Sequence, residues 1–184
     1  MSSRRLGRPL VGGQALAALA VLALVPLGVN APSAAGASAV AASVSSPGTT
    51  LEAASADLSG LVIEPDPTAD VPMLKVTSSS AAFKGLSLQV PCEAVEGSPA
   101  GITTDATTPA DSTAAAQGGF VISATSFTAM PPNAAETTWT PADVSAPLDL
   151  GDVALTGVKV ALGTMSAPTL ELPALHLSTG FCTP

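Results

Sequence analysis

Residues 148–177 read LDLGDVALTGVKVALGTMSAPTLELPALHL, and this stretch decides the fold. Apolar residues stand at every fifth position: Leu150, Leu155, Val160, Met165, Leu170 and Leu175. In the first half each has an apolar companion two residues earlier, Leu148, Val153 and Val158. In the last two units the companion comes two residues later, Leu172 and Leu177. A spacing of two is that of an extended chain, in which alternate side chains share a face. A spacing of five is neither helical nor purely strand-like. The spacers are Gly151-Asp152, Thr156-Gly157, Gly163-Thr164 and Ala167-Pro168, residue types that favour turns. The stretch predicts short extended triplets separated by corners.

Two architectures produce such a pattern. One is an all-β, β-sandwich-like domain whose strands change face at bulges or tight turns. The other is a short β-solenoid-like C-terminal part, in which triplets stack coil upon coil. The spacing resembles that of pentapeptide-repeat proteins. It departs from them in carrying large Leu and Val where those repeats favour small residues, and its six units are too few for two full coils. Upstream segments do not hold the five-residue beat, which favours a single small sandwich-like domain with long loops.

Working towards the N-terminus, residues 133–147 read as a loop containing Trp139, and Phe120–Met130 as a strand. Residues 94–118 are Ala, Thr, Ser, Pro, Gly and Asp with few apolar side chains, the composition of a long low-complexity loop. Met73–Thr77 and Phe83–Val90 show partial alternation. The sequence Phe83-Lys84-Gly85-Leu86-Ser87-Leu88 echoes Leu155-Thr156-Gly157-Val158-Lys159-Val160 in its order of apolar, polar and Gly positions. Residues 40–58 are small and polar and read as a flexible linker, with order beginning at Leu61-Val62-Ile63 in a domain spanning 59–184.

The first 39 residues have the layout of a secretory signal peptide. Arg4, Arg5 and Arg8 precede an apolar stretch from Leu10 to Val29, followed by small residues with A-x-A patterns. Ala37 or Ala39 is the expected cleavage point, because cutting after Ala31 would put Pro32 next to the scissile bond. Cleavage leaves no stable membrane anchor in this reading. It also removes every arginine and leaves three lysines against fourteen acids, a net charge near −11. So acidic a surface repels phosphate backbones, which argues against nucleic-acid binding.

Two cysteines remain, Cys92 and Cys182. An even count in an exported chain predicts a disulfide between them, since the exterior is oxidising. The spacing is not that of a C-x-x-C redox pair.

Catalytic patterns are scarce. His176, the only histidine, lies between Leu175 and Leu177, whose strand alternation would face the leucines inward and the imidazole out. Neither a G-x-S-x-G elbow nor an S-x-x-K motif occurs. One His and two paired Cys cannot build a zinc site, and neither Glu64, Asp66 and Asp70 nor Asp149 and Asp152 follow a calcium-loop pattern. Trp139 is the candidate binding aromatic, or else the plug at the edge of a small core. The sequence thus predicts a secreted or cell-surface, non-enzymatic β-rich protein, structural or binding. It predicts no cofactor and no metal, and leaves the partner unknown, a cell-envelope component being one candidate. The alternative is a small secreted hydrolase using scattered carboxylates or His176.

Overall fold

The computed structural model describes residues 38–94 and 100–183, and for residues 38–47 and 93–94 the backbone only. The signal-peptide reading therefore falls outside the described residues apart from its last two positions, Ser38 and Ala39. All regular structure among the described residues is strand, in one antiparallel sheet. The all-β expectation holds.

The deciding stretch forms one strand, β7, Leu148–Leu172. At about 3.3 Å per residue a strand of this length spans about 80 Å, far longer than strands in most domains. Its buried residues are Leu155, Val158, Val160, Leu162, Met165, Ala167 and Leu170. They step by two, with steps of three after Leu155, Leu162 and Ala167. Each step of three coincides with a register shift against a neighbouring strand. An inserted residue turns the next side chain to the other face, while local twist increases. The five-residue beat is therefore two in-facing residues and one bulge, repeated. The corners read from sequence are bulges within a continuous strand, so the solenoid alternative is replaced by one long coiling strand.

Strand β1, Ser38–Pro65, runs antiparallel to β7 over most of its length. It carries the same beat, with Leu51, Ala56 and Leu61 buried, and Ala53, Leu58 and Ile63 two residues behind each. This corrects the linker reading of residues 40–58. Their Ala-rich composition suits a narrow interior in which Ala53 and Ala56 face the core.

Strands β2, Leu74–Lys84, and β3, Ser87–Ala94, follow one another along β1 in a single register, with Ser55 opposite Lys84 and Glu52 opposite Ser87. They are one strand kinked at Gly85. β4, Gly101–Thr107, and β5, Thr113–Met130, return beside them. The predicted loop 94–118 is thus largely strand, and its true corner is Thr108–Ser112. There the Thr108 amide donates to the Leu86 carbonyl at 2.8 Å, and the Leu86 amide donates to Thr108 Oγ1 at 3.0 Å. The echo noted in the sequence is structural: Gly85 and Gly157 both have φ of 59°, between buried Phe83 and Leu86 and between buried Leu155 and Val158. That left-handed conformation carries little penalty only for glycine.

β5 pairs with β7, and β7 with β1, so the pairings β1–β2–β5–β7–β1 form a closed circuit. Opposite walls of this circuit face one another across the core, as the layers of a sandwich do. The interior is filled by aliphatic side chains with Phe83, Phe120 and Phe127, the first two with ring centroids 5.4 Å apart. Outward positions carry polar pairs such as Glu52–Lys159 at 3.0 Å and Glu64–Lys75 at 3.1 Å. β6, Thr137–Trp139, adds three residues beside β5 within the predicted loop 133–147. β8, His176–Cys182, continues past β7 and pairs with β4.

Candidate docking surface

The circuit opens at one end. Beyond Leu172 the chain turns at Pro173-Ala174, where Ala174 has φ of 49°, and resumes as β8. Among the described residues β8 has one neighbour, β4, and its other edge is free. What returns it to the body is the disulfide. Cys92 in β3 and Cys182 in β8 are bonded with their Cα atoms 5.8 Å apart. Both strands flank β4. In a flat sheet two strands separated by a third lie about 9.6 Å apart, twice the ordinary spacing. The shorter separation requires the sheet to curl tightly around β4, where Gly101, the Cα partner of Cys182, is buried.

Sequence alternation placed Leu175 and Leu177 inward and His176 outward. The structure turns Leu177 out, leaving it 60% exposed. Leu177, Thr179 and Phe181 share one face, and His176, Ser178, Gly180 and Cys182 share the other. Every residue from His176 to Phe181 is exposed, so both faces of β8 are open to solvent. Phe181 is 88% exposed, and its cross-strand partner Ile102 is 42% exposed. β8 lies beyond the closed circuit, where neither of its faces has a core beneath it, and its apolar row is left on the surface. Val71, Val121 and Met130 are also exposed, but Ile102 and Phe181 are cross-strand partners with Leu177 on the same strand as Phe181, so this row is the strongest surface anomaly among the described residues.

The predicted chemical residues are dispersed. His176 is exposed on β8 opposite Thr107, and among the described residues its side chain has no hydrogen-bond partner. Trp139 is half-buried and stacks obliquely on buried Phe127, with centroids 5.6 Å apart, in the position of a plug at the core edge. The void nearest the core holds only about 10 Å³ and is lined by apolar side chains including Leu51, Phe83, Phe120 and Val160. That is about the room of a single water, without polar partners to hold one.

The acids considered as metal ligands serve the backbone instead. Asp149 accepts the Gly151 amide at 2.9 Å, and Asp152 accepts the Gly60 amide at 2.9 Å. Asp66 closes the turn between β1 and β2. Its carboxylate accepts the Ser123 hydroxyl, the Thr68 hydroxyl at 2.7 Å and the Thr68 amide at 2.9 Å. These donors, Ser123 first, hold its pKa below the ordinary 3.8. Among the described residues no group of three or more His, Cys, Asp or Glu is placed to hold a metal ion, and no helix is long and apolar enough to cross a membrane.

Sequence reasoning missed the apolar row because alternation alone assigns Leu177 to the core. The available signal was Pro173-Ala174, a turn pair that marks where the chain leaves the closed circuit. Compared with known proteins, the chain matches no family model, no curated protein and no solved structure.

Proposed function

We propose that this chain is an exported, non-enzymatic binding protein of the cell surface or extracellular space that docks through the face of β4 and β8 that carries Leu177 and Phe181. The carrying observation is the row Ile102, Leu177 and Phe181 on an open edge strand. An exposed apolar row beside unpaired backbone suits recognition by strand addition. Export is supported by the basic and apolar N-terminal layout and by the Cys92–Cys182 bond, which suits an oxidising compartment. Cleavage after Ala37 would leave the whole of β1 from Ser38 intact.

Phe181→Glu tests the reading, because it places a charge in the row without touching the core. In cells expressing the chain, the wild type should fractionate with the envelope and the variant should shift into the medium. Equal distribution of the two would count against the docking face. A mature N-terminus at Met1 would count against export.

A further inference from the structure

The β8 edge has a symmetry that points to its occupant. Leu177 and Phe181 lie two residues either side of Thr179. If two β8 strands pair antiparallel with Thr179 opposite Thr179, each Leu177 falls opposite the other copy's Phe181. The pattern is thus self-complementary, as a two-fold interface requires.

We propose that β8 pairs with β8 of a second copy of this chain, antiparallel about an axis through Thr179, to make a dimer. The proposal rests on the docking reading above and names its partner. Three observations favour a second copy. First, β8 lacks the features by which edge strands refuse pairing: His176–Cys182 contains no Lys and no Pro, and its register with β4 is unbroken. Second, the chain carries a net charge of −8, so two copies repel over most approaches. β4 and β8 together hold a single acid, Asp105, and it sits opposite Ser178, on the face away from Leu177 and Phe181. The edge itself therefore adds little to that repulsion. Third, Ile102 beside Phe181 widens the apolar row so that each copy's Leu177–Phe181 contact is flanked by a further aliphatic side chain. Three side chains and seven residues of backbone per copy fall short of the ~1,000 Å² typical of persistent interfaces. The dimer is accordingly weak and concentration-dependent, and continues the sheet from one copy into the next.

Sedimentation velocity on the full chain, from micromolar to millimolar concentration, tests this directly. The wild type should shift from monomer to dimer across the series. Leu177→Glu and Phe181→Glu, both at exposed positions, should each weaken the dimer by more than about tenfold while leaving circular dichroism and the disulfide unchanged. A wild type that stays monomeric throughout, or variants that dimerise as well as it does, overturns the proposal. Hydrogen exchange then separates its failure from that of the docking reading. A monomer whose β8 amides are all protected would mean that the edge is already covered within one molecule, which removes both readings. A monomer whose β8 amides exchange fast would overturn the dimer and leave the face to a different protein.

Discussion

Cys92 and Cys182 are joined across strand β4, which lies between their own strands, so the single disulfide fastens the open end of an otherwise closed sheet. The bond spans 90 residues of chain, and without it β8 is held by β4 alone. Replacing both cysteines by serine should cost about 2–5 kcal/mol. The loss should be uneven. In native-state hydrogen exchange β8 and β4 should lose protection well before the β1–β7 pair, whose backbone bonds lie in the closed circuit. Uniform loss of protection over all strands would show that the disulfide acts on the whole fold.

Thr49 is fully buried in β1, and among the described residues its hydroxyl has no hydrogen-bond partner. A buried unsatisfied hydroxyl costs free energy that an isosteric methyl does not. Thr49→Val should therefore raise stability, by about 1 kcal/mol in denaturant unfolding. A loss of stability would reveal a partner for this hydroxyl.

Gly163 lies against Met73. A Cβ at Gly163 would stand only 2.0 Å from Met73 Cε and 3.4 Å from the Ser123 carbonyl oxygen. The methionine is flexible and can withdraw, whereas the carbonyl belongs to β5. Because the Met73 thioether end can give way, Gly163→Ala should cost only about 1 kcal/mol, the low end of the overpacking range. Combining it with Met73→Ala should recover most of that loss, because the clash is with the side chain. Simple additivity of the two substitutions would place the strain in the backbone instead.

Much of the fold was legible in the sequence, and the failures share one cause. The beat in residues 148–172 marked in-facing residues correctly from Leu155 to Leu170, since large aliphatics announce a core position. The same beat in β1 went unread because Ala53 and Ala56 occupy two of its six in-facing apolar positions, and alanine is as common on surfaces and in linkers as in cores. β4 and the start of β5 were hidden for the same reason, with Ala114 and Ala116 buried where a loop was expected. A narrow interior takes small side chains, and small side chains erase the hydrophobic contrast on which periodicity depends. The disulfide was legible from the count of cysteines alone. The docking face was not, since β8 runs beyond the closed circuit, where alternation no longer sorts inside from outside.

Asp66 offers a test through pH. Its folded pKa lies below the ordinary 3.8, chiefly through the Ser123 hydroxyl and then through Thr68. A carboxyl with a lowered folded pKa stabilises the folded state when ionised, so the contribution is fully present above the unfolded value. It is lost as pH falls from about that value through the lowered folded one. Wild-type stability should decline over this acid range more steeply than that of Asp66→Asn, and the two curves should converge at the acid end. The carboxylate sits near the surface, so the difference should be modest. Parallel curves from neutral pH downward would show that the Ser123 and Thr68 contacts do not persist in solution.

Gly157 carries the argument that the five-residue beat is made by bulges. It has φ of 59°, and a Cβ there would meet nothing within 4 Å. Any cost of substitution must then come from backbone conformation and not from crowding. Gly157→Ala should destabilise by about 1–2 kcal/mol, the penalty for a side chain in the left-handed region. Gly157→Asn should cost less, because asparagine tolerates that region, and Gly157→Val should cost more, because a β-branched side chain does not. Equilibrium unfolding of the three variants gives the order Asn, Ala, Val if residue 157 is a bulge with positive φ. If it were an ordinary strand residue, valine would be the best tolerated of the three, since β-branching favours extended backbone. The two accounts of the beat therefore predict opposite orders at a single exposed position.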